Sequence, residues 1–311
     1  MILLLLVPVV LAFDLPPLAR AAVERLNPTA ALLLLTVTTV VLAGCSPAAL
    51  GVLMLSGLLK VPAVAAIGAL CHPFVAAPRV LMMPAAVLSL GALGVCAWNL
   101  LRSALRQTVA LRMARSQADT RYTAGDLCII DTPHPDAYAL PGRPNRIVVT
   151  TEMLRSLDAA EREALFAHER AHLDGRHHYC LALTELAAHC HPGLRAVRAA
   201  VQMSAERAAD EAAAAATGDR RLTARAIGRA ALAVRAAQSH RPSFAPAATS
   251  GPVPQRVAAL LRAPRPHSRR ALVAVAALLL CVMTASLAGV AAGVRDLRRS
   301  VEVAQGEPPE G

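Results

Sequence analysis

The sequence predicts a mainly α-helical integral membrane protein with about four transmembrane helices and an α+β domain inserted between the third and the fourth. Three observations carry this reading. Of the 311 residues 55% are hydrophobic and only 3% aromatic, and the mean hydropathy of +0.46 is too apolar for a soluble domain of this length. Charge-free runs at residues 30–59, 80–101 and 271–294 are each long enough to cross about 30 Å of hydrocarbon as a helix. Between the last two lies a polar stretch in which 25 Arg face 15 Asp and Glu, so nearly all of the net charge of +11 sits in one loop.

Residues 1–13 are a fourth apolar stretch, short for a span and closed by Asp14. No basic residue precedes the run, so it does not read as a cleaved signal peptide. "LAGC" at Leu42 to Cys45 is similar to a lipoprotein cleavage box, but apolar sequence continues on both sides and the span-interior reading is preferred. "VPAVAAIGAL", residues 61–70, is an apolar extension read as a re-entrant piece or a loop. The N-terminal membrane region, residues 1–101, then gives way to a domain at 102–238. Within it "DLCIID", "DAYAL" and "RIVVT" read as short strands separated by the Pro- and Gly-bearing "TPHP" and "PGRPN". Asp158 and Glu161 form a capping box that starts a helix carrying His168, Glu169 and His172, with Gly175 as its stop. Helical stretches at 181–189 and 194–216 follow, the second ended by Gly218. A linker with six prolines at 239–270, interrupted by the short amphipathic "QRVAALLR", leads to the last span, 271–294, and a tail at 295–311.

The charge distribution bounds function. By the positive-inside tendency the long loop is cytoplasmic and the N-terminus outside, although Arg295, Arg298 and Arg299 beyond the last span point the other way. The basic loop lacks interleaved aromatic residues, so no direct nucleic-acid binding is expected, and the lipid bilayer is the expected non-protein partner. A transporter is not expected, because the spans hold almost no ionisable residue to line a pathway. Seven scattered cysteines without a CxxC pair imply no disulfide framework. Ala and Arg in abundance beside the single lysine, Lys60, are the composition of a GC-rich bacterial genome.

The chemistry concentrates in "HERAHLDGRHH", residues 168–178. Two His four apart on a helix direct their imidazoles at one point, and a Glu beside the first reaches an attacking water without being a ligand. The third ligand has two sources. His178 completes the longer HExxHxxGxxH pattern, which also expects a methionine-bearing turn beneath the metal; the next methionine, Met203, lies in continuous helix instead. Glu206 and Asp210, four apart in "ERAAD", share a helix face, so Glu206 is the expected ligand and Asp210 the partner that orients a ligand His. His177, His178, His189 and His191 are then read as surface or interfacial groups, any of which could serve an oxyanion.

"RIVVTTEMLRSLDAAEREALFAHERAHLDGRHH" followed by "AERAADEAA" resembles the membrane-embedded zinc metallopeptidases of the BlaR/MecR antirepressor type and, more distantly, the HtpX and CAAX-processing proteases. The resemblance implies a gluzincin-like domain between the third and fourth spans, with one Zn2+ on His168, His172 and Glu206, Glu169 as catalytic base and Asp210 behind the ligands. It also implies that Tyr138, Ala139 and Leu140, in "DAYALPG", pair with an extended substrate backbone. The antirepressor sensors carry a penicillin-binding domain after the last span, whereas this sequence stops about 17 residues beyond Val294, so that sensor is expected to be lacking. The expected activity is a membrane-anchored regulatory endopeptidase acting on a cytosolic repressor-like protein or on itself. The alternatives are a housekeeping protease for damaged membrane proteins and a non-catalytic signalling scaffold with a structural metal.

Overall fold

The computed structural model describes residues 2–61, 79–238, 253–262 and 269–305. In chain order the elements are α1 (Ile2–Leu11), α2 (Leu15–Arg25), α3 (Pro28–Leu58), α4 (Arg79–Asp119), β1 (Thr123–Ala124), β2 (Leu127–Ile130), β3 (Ala137–Leu140) and β4 (Arg146–Thr150). They continue as α5 (Thr151–Ser156), α6 (Ala159–Asp174), α7 (His177–Cys190), a 3-10 turn (Pro192–Ala196), α8 (Val197–Thr217), α9 (Arg220–Gln238), α10 (Val253–Leu261) and α11 (Arg269–Gln305). The extension read at residues 61–70 falls almost wholly outside the described residues.

Three helices, α3, the stretch Met82–Asp119 of α4, and α11, are long and apolar enough to cross a membrane. Their ends differ from the sequence reading for a simple reason. Residues 102–119 and 295–305 contain no Pro or Gly, so nothing breaks the helix where the apolar run stops, and α4 extends for 41 residues. Its polar half reaches the inserted domain, where Nε of Arg115 donates to the Pro141 carbonyl at 2.7 Å and Ala118 packs under Cys128, Leu140 and Val148. In α3 the buried hydroxyls of Thr36, Thr39, Ser46 and Ser56 donate to carbonyls one turn back at 2.6–2.9 Å, which satisfies them inside an apolar layer. Cys45 is buried in the middle of this helix.

The first apolar stretch forms only a ten-residue helix, about 15 Å long, and it bends by 41° into α2. Helix α1 packs against α3 and α11. Close approach requires Gly289, where a Cβ would stand 2.5 Å from the Leu4 carbonyl oxygen.

The sheet has the order β1-β2-β4-β3, with β2 parallel and β3 antiparallel to β4. The expected strands are present, and the two-residue β1, joined to β2 through Gly125 at φ 65°, is added. Ile147 and Val149 of β4 lead into a core closed by Met153, Leu157, Leu165 and Phe166 from α5 and α6. A second core joins α7 and the first half of α8 to α2 and α3: Ala187, Leu194, Val197 and Val201 pack with Leu15, Leu32, Leu35 and Leu42. Among the described residues the inserted domain is therefore packed along the long apolar helix α3.

Helix α6 begins as its sequence requires. The Asp158 carboxylate accepts from the Glu161 amide at 2.8 Å, and Glu161 accepts from the Asp158 amide at 3.0 Å. Glu161 is fully buried and also holds Arg225 and Arg229 of α9 at 3.0 Å each. One carboxylate thus caps α6 and clamps α9, a helix that the sequence reading left unassigned. Glu161→Ala should destabilise the fold by roughly 1–3 kcal/mol, from the lost cap and the lost charge-assisted bonds. A fall in the melting temperature of the detergent-solubilised protein would measure it.

Candidate metal centre

The capped start of α6 fixes the phase of everything that follows on that helix. His168 and His172 lie one turn apart with their Nε2 atoms 3.2 Å from each other. Helix α8 packs beside α6 and brings Glu206 to the same point, with Oε2 3.7 Å from His168 Nε2 and Oε1 3.9 Å from His172 Nε2. One donor atom from each of the three lies within 4.8 Å of the others. Ligands about 2.0–2.1 Å from a tetrahedral zinc stand about 3.3 Å apart, so two imidazoles and a carboxylate at this spacing fit that ion. His168 is buried at 6% exposure, while His172 and Glu206 are partly buried at the wall of a pocket.

Behind the cluster each imidazole meets a second polar group. His168 Nδ1 lies 3.1 Å from Asp210 Oδ1, although off the axis of a well-aligned hydrogen bond. His172 Nδ1 lies 3.1 Å from Nδ1 of His177. His177, read as a surface or interfacial group, is buried at 4% exposure. The cause is local: Arg176 adopts φ 50°, and the chain turns back so that α7 starts with His177 against His172. Gly175 is part of this arrangement, because a Cβ there would collide with the His177 ring. His178 lies outside the three-residue cluster; it stacks on Tyr179 at 4.2 Å and lines the adjoining pocket. His189 lies near Glu185 at 3.8 Å, and His191 is buried against Phe13, accepting the Gly193 amide at 3.1 Å.

The sequence reading missed Arg256. It comes from α10, within the stretch read as a linker, and reaches both carboxylates of the centre. Nη1 lies 2.7 Å from Glu206 Oε2, while Nε and Nη2 make a bidentate pair with Asp210 at 2.8 and 2.6 Å. Nη2 is also 3.4 Å from His168 Nε2. The available signal was the amphipathic helix "QRVAALLR", but nothing in local sequence joins it to residues 46 positions earlier.

Charge in this cluster is strongly perturbed. Burial pushes the Glu169 carboxyl above its ordinary value, opposed by neighbouring His168 and by a hydrogen bond from the Ala139 amide. Burial would raise Glu206 too, but His168 and Arg256 hold it ionised and bring its pKa to about 2. Burial opposes the His168 cation, yet the facing carboxylates of Asp210 and Glu206 raise it to about 9; burial and the His168 charge depress His172 to about 3. The two carboxylates face the Arg256 guanidinium and the His168 imidazole, which balance their charge.

A pocket of about 420 Å3 opens on the cluster, between the edge strand β3 and apolar residues of α9 such as Ile227 and Val234. The Thr150 amide donates to the Asp136 carbonyl at 3.0 Å, so by antiparallel alternation Tyr138 and Leu140 turn their backbone toward β4. The N–H and C=O groups of Ala137 and Ala139 face outward, toward the metal cluster. Of the three residues expected to meet substrate, Tyr138 and Ala139 line the pocket, while Leu140 is buried in the core between α4 and the sheet.

Residues 101–192 match the family model described as Peptidase family M48. That stretch includes His168, Glu169 and His172 and stops short of Glu206. The match supports a metallopeptidase, and the family's metal is zinc. No curated protein and no solved structure matches the chain.

Proposed function

We propose that this chain is a membrane-anchored zinc endopeptidase of the BlaR/MecR antirepressor type with a regulatory role, its catalytic domain facing the cytoplasm. The observation that carries the reading is the convergence of His168, His172 and Glu206 beside a buried Glu169 and an open strand edge. His168, His172 and Glu206 would hold zinc, which when bound polarises the scissile carbonyl and acidifies the attacking water. Glu169 takes the proton from that water and hands it to the leaving amine, and its burial favours a carboxylate able to do both. Asp210 and His177 fix the rings of His168 and His172, and Arg256 holds Glu206 and Asp210 in place. Ala137 and the Ala139 carbonyl offer the outward edge of β3 to an extended substrate backbone, the Ala139 amide being given to Glu169, and His178, which lines the pocket, would donate to the oxyanion. The excess of Arg in the inserted loop supports the cytoplasmic placement.

The test is a comparison of new protein N-termini in cells carrying wild type or Glu169→Gln. One or a few sites in a repressor-like protein, or in this chain itself, are expected only with wild type. Many fragments of unrelated membrane proteins would replace the regulatory reading by quality control, and identical profiles would leave the scaffold reading.

A further inference from the structure

A second cavity, of about 1150 Å3, lies against the metal centre's supporting helices and takes no part in the chemistry above. Its walls are the end of α2, the start of α3, one face of α8, the helix α10 and the first residues of α11. Pro28 and Thr29 begin one membrane span and Ala271 begins another, and all three line it. The cavity therefore lies where two spans leave the water layer, at the depth of lipid headgroups.

Its charge is unbalanced. Arg25, Arg207, Arg220 and Arg262 line it, against Glu24 and Glu211. Arg220 and Glu211 neutralise each other in a bidentate pair, and Arg220 also donates to the carbonyls of Leu260 and Ala259. Three arginines then face one glutamate. Arg207 gives Nη1 to the Val23 carbonyl at 2.7 Å, but its Nε is buried with no hydrogen-bond partner. Arg25 and Arg262 are exposed and form no ion pair among the described residues. Three arginines against one glutamate in a single lining, two of the arginines exposed, call for an oxyanion with several acceptors, and phosphate matches the planar guanidinium fork.

We propose that this cavity is a phosphate-binding site whose ligand is the headgroup of an anionic phospholipid. A net cationic lining discriminates against a zwitterionic headgroup, whose phosphate carries its own cation. The site adjoins the catalytic machinery through shared helices. Arg207 follows Glu206 on α8, and α10 presents Arg256 to the metal centre while its Gln255, Ala258 and Arg262 line the cavity. A bound headgroup would hold α10 against α8 at the membrane surface.

The test uses the full chain in detergent, with native mass spectrometry after incubation with phosphatidylglycerol or phosphatidylcholine, for wild type and the Arg25→Gln/Arg262→Gln double variant. Both residues are exposed and lie outside the metal centre. Wild type should retain phosphatidylglycerol in preference, and the double variant should lose that preference by roughly fivefold per arginine. Inorganic phosphate is the second probe. If it raises the melting temperature of wild type and not of the double variant, while neither lipid is preferred, the site stands with free phosphate as its source. Equal retention of both lipids without a phosphate response, or a preference unchanged in the double variant, overturns the proposal.

Discussion

Glu169→Gln is expected to lower peptide hydrolysis by about 10^2–10^4-fold, the range a general base supplies, while the protein keeps its metal. The residue sits one position after His168 of the three-residue cluster and is 8% exposed, too enclosed to be an incidental surface acid. It accepts a hydrogen bond from the Ala139 amide, the same strand position that turns its backbone toward the pocket, so base and substrate edge are placed by one contact. Glutamine preserves the shape and can still accept that bond, but it cannot take a proton. Steady-state cleavage of an unstructured peptide, beside zinc content by elemental analysis, checks both halves. Cleavage at the wild-type rate would sink the assignment of Glu169, and loss of zinc would show that the residue holds the metal.

Glu206→Ala is expected to abolish zinc binding, whereas His178→Ala retains about one zinc per chain. The expectation rests on distance: Glu206 oxygens stand 3.7 and 3.9 Å from the Nε2 atoms of His168 and His172, and His178 is no member of the cluster. Arg256→Gln belongs in the same series. It leaves all three ligands in place but frees Asp210 and Glu206, so zinc should remain at full load while affinity falls by about 10- to 100-fold, the usual effect of removing a group that orients ligands. Elemental analysis at saturating zinc and competition with a chelator separate the outcomes. Retention of zinc in Glu206→Ala together with its loss in His178→Ala would transfer the site to the longer histidine pattern.

The legible parts of the chain share one property: their signals are local. The capping box at Asp158 and Glu161, the i, i+4 spacing of His168 and His172, and the ExxxD spacing of Glu206 and Asp210 are readable because helical geometry alone relates their members. The three strands were legible from alternation and Pro or Gly punctuation. Helix ends were not, because α4 and α11 continue past their apolar runs without a breaker.

By itself the sequence determined that long apolar helices flank a basic polar stretch and that one helix in that stretch carries two imidazoles one turn apart with a carboxylate beside the first. Only the tertiary structure decided what meets that point. The packing of α8 on α6 delivers Glu206, a left-handed residue at Arg176 sends His177 inward in place of His178, and α10 returns from a stretch that reads as linker to set Arg256 on two carboxylates. Such pairings depend on loop closure and on burial that makes an unpaired charge costly, and neither leaves a mark in the spacing of nearby residues.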